Sequence, residues 1–234
     1  MPEQVLLVEH RPPVRIITLN RPQASNALNS QMLRELELAV DDVHSSEDLR
    51  VLIITGAGER AFCAGADLKE RLTMSEDEVR SFLSTIRRLF AKIEELPLPV
   101  IAAINGVSLG GGTELALACD LRVASTSARM GLTETRLAII PGAGGTQRLP
   151  RLVGTARAKE LIFTGRKLTA QEGLSIGLVN RIVASDELMD GCLELAGDIS
   201  KGGPIALAQA KFAINKGQDV ELQTGLAIEA SAYE

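Results

Sequence analysis

The segment Ile104-Asn-Gly-Val-Ser-Leu-Gly-Gly-Gly-Thr-Glu-Leu-Ala-Leu-Ala-Cys-Asp120 carries the strongest structural signal in the chain. It continues the apolar run Val100–Ile104, passes through a glycine cluster and enters an Ala/Leu-rich stretch that favours a helix. A short apolar run bounded by glycine is typical of a strand that is covered on both faces. The segment therefore predicts a buried strand, a glycine loop and a helix, with the glycines at the helix N-terminus.

Further strands are predicted on both sides of this segment. The apolar runs Val51–Thr55 and, more weakly, Leu121–Ala124 have the same character, and Arg15–Leu19 is expected to form an N-terminal hairpin with Val5–Val8. Because amphipathic helices separate the central runs, we expect the strands to pair in parallel through helical crossovers.

Helices are indicated by apolar residues spaced three and four positions apart. This pattern covers Ser30–His44 and Ser75–Leu96, and the second helix has a capping-box spacing at Ser75 and Glu78 and is followed by Pro97. After about residue 152, short breaks that contain glycine separate further predicted helices at Thr155–Phe163, Thr169–Ile176, Asp186–Ser200, Pro204–Asn215 and Asp219–Tyr233. We therefore expect an α/β core at residues 1–185 and a helical C-terminal region at residues 186–234.

The composition argues against several classes of protein. The 234 residues carry a net charge of −5 and only 3% aromatic residues, which disfavours nucleic-acid binding through a basic field or base stacking. Cys63, Cys119 and Cys192 are not a disulfide framework and indicate a reducing compartment, the cytoplasm or, for a mature eukaryotic chain, the mitochondrial matrix. The sequence shows no metal-ligand spacing and no run of about 18 apolar residues, so neither a metal site nor a membrane partner is expected.

Three glycine clusters each match part of a known motif. Gly56-Ala-Gly-Glu-Arg-Ala61 fits the start of a dinucleotide-binding fingerprint, but Gly65 interrupts the helix that should follow. Gly106-Val-Ser-Leu-Gly110 fits a hydrolase nucleophile elbow, but no histidine follows it in the chain to act as the base. Gly142-Ala-Gly-Gly-Thr-Gln-Arg148 could hold a phosphate with its amides and terminal arginine, although a tight turn that leads into a helix is the simpler prediction.

Two glutamates are candidates for chemistry. Glu114 falls in the first turn of the helix after the glycines, where free backbone N–H groups could bind a ligand oxygen closely. The alternative role for Glu114 is a charge that favours the helix dipole. Glu134 lies in mostly uncharged and apolar sequence, so we expect partial desolvation to raise its pKa. Two converging carboxylates would suit acid–base chemistry on a carbonyl compound.

Ordered blocks of the chain resemble the crotonase (enoyl-CoA hydratase/isomerase) superfamily. They are Ala61-Phe-Cys-Ala-Gly-Ala-Asp-Leu-Lys-Glu70, Ile104–Asp120, Gly131-Leu-Thr-Glu134 and Pro141-Gly-Ala-Gly-Gly-Thr-Gln-Arg-Leu149. The resemblance extends from about Val5 to the last residue. It implies a spiral of repeated ββα units with a helical C-terminal oligomerisation region. It also implies an enzyme that acts on acyl-CoA thioesters without a separate cofactor, because coenzyme A is part of the substrate.

The resemblance further implies a role for each matching residue. The backbone amides of Ala66 and Gly111 would bind the thioester oxygen and stabilise the enolate. Glu114 would hold and deprotonate a water that adds across the C2–C3 double bond of a 2-enoyl-CoA, and Glu134 would supply the proton to C2. The residues expected to contact the substrate are Ala64, Ala66, Asp67, Leu68, Lys69 and Gly111, with residues 66–69 along the path of CoA.

Other functions within the superfamily stay open. A Δ3-Δ2-enoyl-CoA isomerase is less favoured, because isomerases usually keep only the second acid. The blocks Phe62–Arg71, Ala158–Phe163 and Gly225–Glu229 look most like the branch that contains 3-methylglutaconyl-CoA hydratase and AU-rich-RNA-binding relatives. RNA binding is disfavoured because the corresponding helix, Met32–Asp42, carries one arginine and four acids, which repel phosphate. A scaffold that has lost activity is disfavoured because both glutamates are present.

The C-terminal region is expected to assemble copies of the chain. Relatives form trimers or dimers of trimers through this part. Some of the apolar surface of its helices would be exposed in a monomer, and the residues that carry it are Leu188, Leu195, Ile199, Ile205, Phe212 and Leu226. Compared with the family, the chain ends early, at Tyr233-Glu234. We therefore expect the family's final helix to be absent, which would leave the CoA pocket less covered.

Overall fold

The larger of two sheets contains the predicted strands. The computed structural model describes residues 4–46 and 48–234, and within them this sheet has six strands. Their order is β1 (Leu6–Arg11), β2 (Val14–Leu19), β3 (Val51–Gly56), β5 (Val100–Ile104), β7 (Leu121–Ser125) and β10 (Arg181–Val183). β1 and β2 form an antiparallel hairpin, and the remaining neighbours are parallel. The predicted hairpin and the predicted parallel sheet are confirmed.

A smaller sheet was not predicted, because its strands are two or three residues long and carry no periodic signal. In the described part of the chain its order is β4 (Ala61–Cys63), β6 (Val107–Leu109), β8 (Arg129–Gly131) and β9 (Leu168–Thr169). β4, β6 and β8 are parallel, and β9 is antiparallel to β8. Strands β4, β6 and β8 directly follow β3, β5 and β7. This succession is the predicted spiral of ββα units.

Apart from one short helix at Leu68–Arg71, which was not predicted, the helices agree with the sequence pattern to within a few residues. They are α1 (Ser30–Asp41), α2 (Leu68–Arg71), α3 (Glu76–Glu95), α4 (Gly111–Ala118), α5 (Gly145–Val153), α6 (Thr155–Thr164), α7 (Ala170–Ser175), α8 (Leu188–Ile199), α9 (Pro204–Gly217) and α10 (Leu222–Tyr233). Both hydrogen bonds of the predicted capping box of α3 are present at Ser75 and Glu78. The helix predicted over Ser30–His44 ends at Asp41, where the chain enters a 3-10 turn, Asp42–Ser45. Among the described helices, none combines the length and the apolar character that crossing a bilayer requires.

The larger sheet is covered on both of its faces. Alternate side chains of β3 point in opposite directions, so that Leu52 and Ile54 belong to one buried cluster and Ile53 to another. Helices α1, α3 and α4 cover the first face, and α8 covers the second through residues such as Cys192. Helix α8, which the sequence analysis assigned to the C-terminal region, therefore belongs to the core.

The last two helices differ from the rest of the fold. Helices α9 and α10 pack against each other, and neither contains a buried residue. We call residues 204–233 the C-terminal hairpin and residues 5–200 the body. Polar contacts join the two: Lys211 Nζ lies 2.7 Å from Asp120 Oδ2 and donates to the carbonyl of Leu98, and Lys216 pairs with Glu95 at 3.1 Å. The hairpin therefore lies on the body with little apolar burial of its own.

Candidate active site

A large cleft lies where the glycine loops of the body meet the C-terminal hairpin. Its volume is about 1610 Å³, and its lining includes residues from α3, α4, α9 and the segment between β8 and α5. Glu114 and Glu134 both line it, together with apolar side chains such as Leu83 and Ile86. A mostly apolar cleft with a few convergent polar groups is the usual form of a small-molecule site.

Two backbone amides in this cleft are free to bind a ligand. Gly111 is the first residue of α4, so its N–H group has no acceptor within the helix. The N–H group of Ala66 has no acceptor among the described residues, although its loop is held by Leu28, which accepts from Asp67 and donates to Gly65. The Ala66 nitrogen lies 3.6 Å from the position that a Cβ on Gly111 would take. The two amides therefore border the same part of the cleft, where both could donate to one ligand oxygen, as an oxyanion hole requires.

Two glycines make this approach possible. Gly65 has φ +95°, and a Cβ there would lie 2.8 Å from the carbonyl oxygen of Leu109. Gly110 has φ +52°, and a Cβ there would lie 3.2 Å from Glu134 Oε1. Both positions therefore require glycine, for the left-handed backbone and for close packing.

Glu114 is held rigidly inside the cleft wall. Its side chain lies on α4, the residue is 3% exposed, and Oε1 accepts hydrogen bonds from the amides of Ala143 at 2.7 Å and Gly145 at 2.8 Å. Burial raises the pKa of Glu114, while the two N–H donors and the charges of Arg148 and Arg87 act in the opposite direction. No described residue donates to Oε2, which leaves this oxygen free to bind a water.

The glycine cluster at residues 142–145 does not form a phosphate site. The sequence suggested that its amides and Arg148 could bind an anion, but the amides of Ala143 and Gly145 donate to Glu114. Arg148 pairs with Glu94 at 2.7 Å. The cluster leads into helix α5, which agrees with the simpler prediction of a turn followed by a helix.

Glu134 is the more strongly perturbed carboxyl group. It starts the 3-10 turn Glu134–Leu137, is 9% exposed, and its Oε2 is buried without a hydrogen-bond partner. Burial raises its pKa from 4.5 to about 7, and the nearby charge of Glu114 adds to the shift. The expected desolvation of Glu134 is confirmed, and the two carboxylates lie close enough to interact electrostatically.

The other sequence-predicted residues divide into two groups. Ala64, Ala66, Leu68 and Gly111 line the cleft. Asp67 and Lys69 lie outside the lining: Asp67 accepts from the amides of Lys69 and Glu70 at the start of α2, and it pairs with Arg21 at 2.8 Å. Asp67 therefore fixes the loop that presents Ala66, and contact of Asp67 and Lys69 with CoA stays a prediction.

The two competing motifs have structural roles. Ser108 lies within β6, is fully buried, and no described residue accepts a hydrogen bond from its hydroxyl or donates one to it. A buried serine within a strand cannot act as an exposed nucleophile. After Gly58 the chain enters β4 and not a helix, so no dinucleotide-binding turn forms.

Comparison with known proteins identifies the family. A family model described as enoyl-CoA hydratase/isomerase matches residues 9–234. The chain belongs to this family. A crystal structure of enoyl-CoA hydratase from Bacillus anthracis is 54% identical, with a TM-score of 0.96 over 98% of this chain and 90% of that one. The predicted family and the predicted fold are thus confirmed.

Two relatives of this enoyl-CoA hydratase/isomerase family member have been given more specific names. Mouse mitochondrial methylglutaconyl-CoA hydratase is 48% identical over 231 residues, which are 97% of this chain and 74% of the mouse protein. The short-chain-enoyl-CoA hydratase of Clostridium acetobutylicum is 45% identical over 228 residues, 97% of this chain and 87% of that protein. The chain is therefore an enzyme of a family that acts on acyl-CoA thioesters.

Sequence reasoning missed some residues that shape the site. The amides of Ala143 and Gly145 hold Glu114, yet a loop of small residues shows no signal for the side chain it will bind. Arg87 also lines the cleft, although its position within an amphipathic helix made it one surface charge among several. Only the tertiary structure brings these three residues to the glutamates.

Proposed function

We propose that the enzyme adds water syn across the C2–C3 double bond of a 2-enoyl-CoA thioester. The observation that carries this proposal is the pair of buried carboxylates, Glu114 and Glu134, beside the two free amides of Ala66 and Gly111. Hydration needs a base for water, an acid for the α-carbon and a site for the negative charge that develops on the carbonyl oxygen. This cleft offers all three types of group.

In the proposed reaction the thioester oxygen accepts hydrogen bonds from Ala66 and Gly111. The water bound to Glu114 attacks C3, its oxygen forms a bond to C3, and its proton passes to Glu114. The electron pair of the double bond moves toward the thioester carbonyl and forms an enolate, which the two amides stabilise. C2 of the enolate then takes a proton from Glu134, which completes the addition of water. Glu114 still holds the proton that it took from the water, and transfer of this proton to Glu134 restores both glutamates for the next turnover.

The environments of the two glutamates support this division of roles. Glu134, with a pKa raised to about 7, keeps a substantial protonated fraction near neutral pH and therefore suits the role of the acid. Burial also raises the pKa of Glu114, but the two backbone N–H bonds that it accepts and the charges of Arg148 and Arg87 oppose that shift and favour its ionised form. The two groups interact, so the pH profile reports the pair.

The experiment measures loss of the enoyl-thioester absorbance with crotonyl-CoA as substrate. We expect Glu114→Gln and Glu134→Gln each to lower kcat by at least ~10², because each removes a proton-transfer group. Glu187→Gln, an exposed glutamate outside the cleft, is the matched control and should keep the wild-type rate. Near-wild-type turnover by either active-site variant would contradict the proposed function.

We also propose that the C-terminal hairpin joins copies of the chain into a trimer or a dimer of trimers. Support comes from Ile205, Leu222 and Tyr233, large apolar side chains of the hairpin that one chain leaves exposed. Light scattering should give a mass of three or six times that of the chain. A mass near 24.9 kDa would contradict the proposal.

A further inference from the structure

The two glutamates of the candidate site belong to different segments of the chain. Glu114 lies in the first turn of α4, whereas Glu134 follows β8 and begins a 3-10 turn. In the proposed reaction both carboxyl groups must reach adjacent carbon atoms of one substrate, and a misplacement of about 1 Å can slow catalysis strongly. The contacts that join the two segments therefore determine whether the pair can act together.

The carboxyl group of Glu134 is held by its own segment. The backbone amides of Thr133 and Glu134 favour its ionised form, and no described group donates to the buried Oε2. The carboxyl group packs against the backbone of Gly110, where a Cβ would lie 3.2 Å from Oε1. The distance between the two glutamates therefore depends on how the segment after β8 is attached to α4.

On one side this segment is attached to α6. Thr135 Oγ1 donates to the carbonyl of Ile162 at 2.7 Å, and Arg136 Nη2 donates to the carbonyl of Thr164 at 2.9 Å. Neither contact involves α4. These two hydrogen bonds keep the 3-10 turn in the fold, but they do not set its distance from Glu114.

On the other side two hydrogen bonds join Gly131, the last residue of β8, to the start of α4. The carbonyl oxygen of Gly131 accepts from the amide of Gly110 at 2.9 Å, and the amide of Gly131 donates to Thr113 Oγ1 at 3.1 Å. The Thr113 hydroxyl in turn donates to the carbonyl of Ser108 at 2.6 Å. The first bond joins two backbone groups, so only the second depends on the identity of a side chain.

The Thr113 hydroxyl allows α4 to approach the ends of β6 and β8 closely. Its oxygen lies within 3.1 Å of three backbone atoms, which are the carbonyl oxygen of Ser108 and both the nitrogen and the carbonyl oxygen of Gly131. A methyl group at this place would need about 3.5 Å from each of them. A methyl group therefore cannot replace the hydroxyl unless α4 moves away from the strands.

We propose that Thr113 is a positioning residue that sets the separation of Glu114 and Glu134 by joining α4 to the end of β8. Thr113 directly precedes Glu114, and Gly131 lies three positions before Glu134. Thr113 is 1% exposed and lies outside the cleft lining, so it acts through the two glutamates and not by touching the substrate. This inference rests on the proposed hydratase function and adds a residue to its machinery.

The test compares Thr113→Val, which replaces the hydroxyl by a methyl group, with Thr113→Ser, which keeps the hydroxyl. With crotonyl-CoA as substrate we expect Thr113→Val to lower kcat about 10-fold or more and Thr113→Ser to keep it within ~3-fold of the wild type. Thr55→Val is the matched control. Thr55 of β3 is also buried, its Oγ1 donates to the carbonyl of Ala103 at 2.9 Å, and neither residue lines the cleft. This control should destabilise the fold but keep the wild-type kcat.

A second measurement separates positioning from a general loss of stability. Infrared titration follows the C=O stretch of protonated carboxyl groups, and the band that Glu134→Gln removes belongs to Glu134. If α4 moves away, Glu134 gains hydration and lies farther from the charge of Glu114, and both changes lower its pKa. The midpoint pH of this band should fall by at least ~0.5 in Thr113→Val and stay unchanged in Thr113→Ser and Thr55→Val.

The two measurements assign every outcome. An unchanged kcat or an unchanged midpoint in Thr113→Val would overturn the inference, and so would an equal loss of kcat in Thr113→Ser or in Thr55→Val. If the wild type does not hydrate crotonyl-CoA, the proposed function fails, and the infrared titration alone then decides whether Thr113 positions Glu134. If crotonyl-CoA is hydrated and Thr113→Val behaves like the wild type, only the positioning role fails.

Discussion

The body and the C-terminal hairpin differ in what holds them in place. Strands β3 and β5 of the body are buried along their whole length, and helices cover both faces of their sheet. The hairpin has no buried residue, and polar contacts such as Lys211–Asp120 attach it to the body. The body can therefore fix the proposed catalytic groups by its own packing. The hairpin forms one wall of the cleft, but within one chain it is held mainly by polar contacts with the body.

A matched pair of phenylalanines provides the largest expected contrast. Phe90 of α3 is fully buried in the body, whereas Phe212 of α9 is 48% exposed on the hairpin. We expect Phe90→Ala to lower the free energy of unfolding by about 3–5 kcal/mol. Phe212→Ala should cost less than about 1 kcal/mol in the dissociated chain. Urea unfolding measures both changes.

Protein concentration sharpens this contrast. If the hairpin lies in an interface between copies, the cost of Phe212→Ala should grow as the protein concentration rises, because association stabilises the folded chain. The cost of Phe90→Ala should include no such change. If Phe212→Ala costs the same free energy of unfolding at every protein concentration, contacts within one chain stabilise the hairpin. That result would contradict the proposed interface between copies.

The ion pair between Lys211 and Asp120 tests how the hairpin is attached. The Lys211 side chain is 9% exposed, and its amine also donates to the carbonyl of Leu98. We expect Lys211→Met to cost about 2–3 kcal/mol, because it leaves the partly buried Asp120 carboxylate without its counter-charge. Hydrogen exchange should speed up in α9 and α10 before the body.

Lys216→Met is the control for this substitution. Lys216 also joins the hairpin to the body, but both partners of its pair with Glu95 are about half exposed. Solvent screens such a pair, so its loss should cost less than about 1 kcal/mol. Equal effects of the two lysine variants would contradict the view that burial of the ion pair at Asp120 retains the hairpin.

The same contrast explains how much of the fold could be predicted from sequence. Strand β5 is a continuous apolar run, and helix α3 has a periodic apolar pattern with a capping box at its start. These local signals were sufficient to predict both elements. Strands β4 and β6 have three residues each, and their pairing depends on loops that meet only in the folded chain. Helix α8 resembles the hairpin helices in sequence, and only the position of its apolar face on the sheet assigns it to the body.

The candidate site was predictable in part for the same reason. Glu114 and Glu134 belong to blocks that resemble a family, and the expected desolvation of Glu134 followed from its apolar neighbours. The partners of Glu114 could not be predicted, because Ala143 and Gly145 contribute only backbone amides. Almost every residue has a backbone N–H group, so the sequence does not show which of these groups will bind a side chain, apart from a need for small residues.

Glu134 is one of several residues of the body that bury a polar side-chain atom without a hydrogen-bond partner among the described residues. Glu134 Oε2 is buried without a partner, and burial holds the pKa of this carboxyl near 7. Between pH 4.5 and 7 the folded chain therefore binds more protons than the unfolded chain, and the free energy of unfolding falls as the pH rises. Below pH 4.5 both states are protonated and the effect vanishes; above pH 7 the penalty is complete.

Glu134→Gln should therefore stabilise the protein while it removes activity. Glutamine does not ionise, so the variant should gain about 1–2 kcal/mol in free energy of unfolding at pH 8 and little near pH 4.5. Urea unfolding across this range measures the difference, and the same measurements on Glu187→Gln, at an exposed position, are the control. If the gain in free energy of unfolding is the same at both pH values, it comes from better packing of the glutamine side chain and not from removal of a charge. A loss at pH 8 would mean that the ionised carboxylate stabilises the fold, and Glu134 would then not be the proton donor proposed for C2.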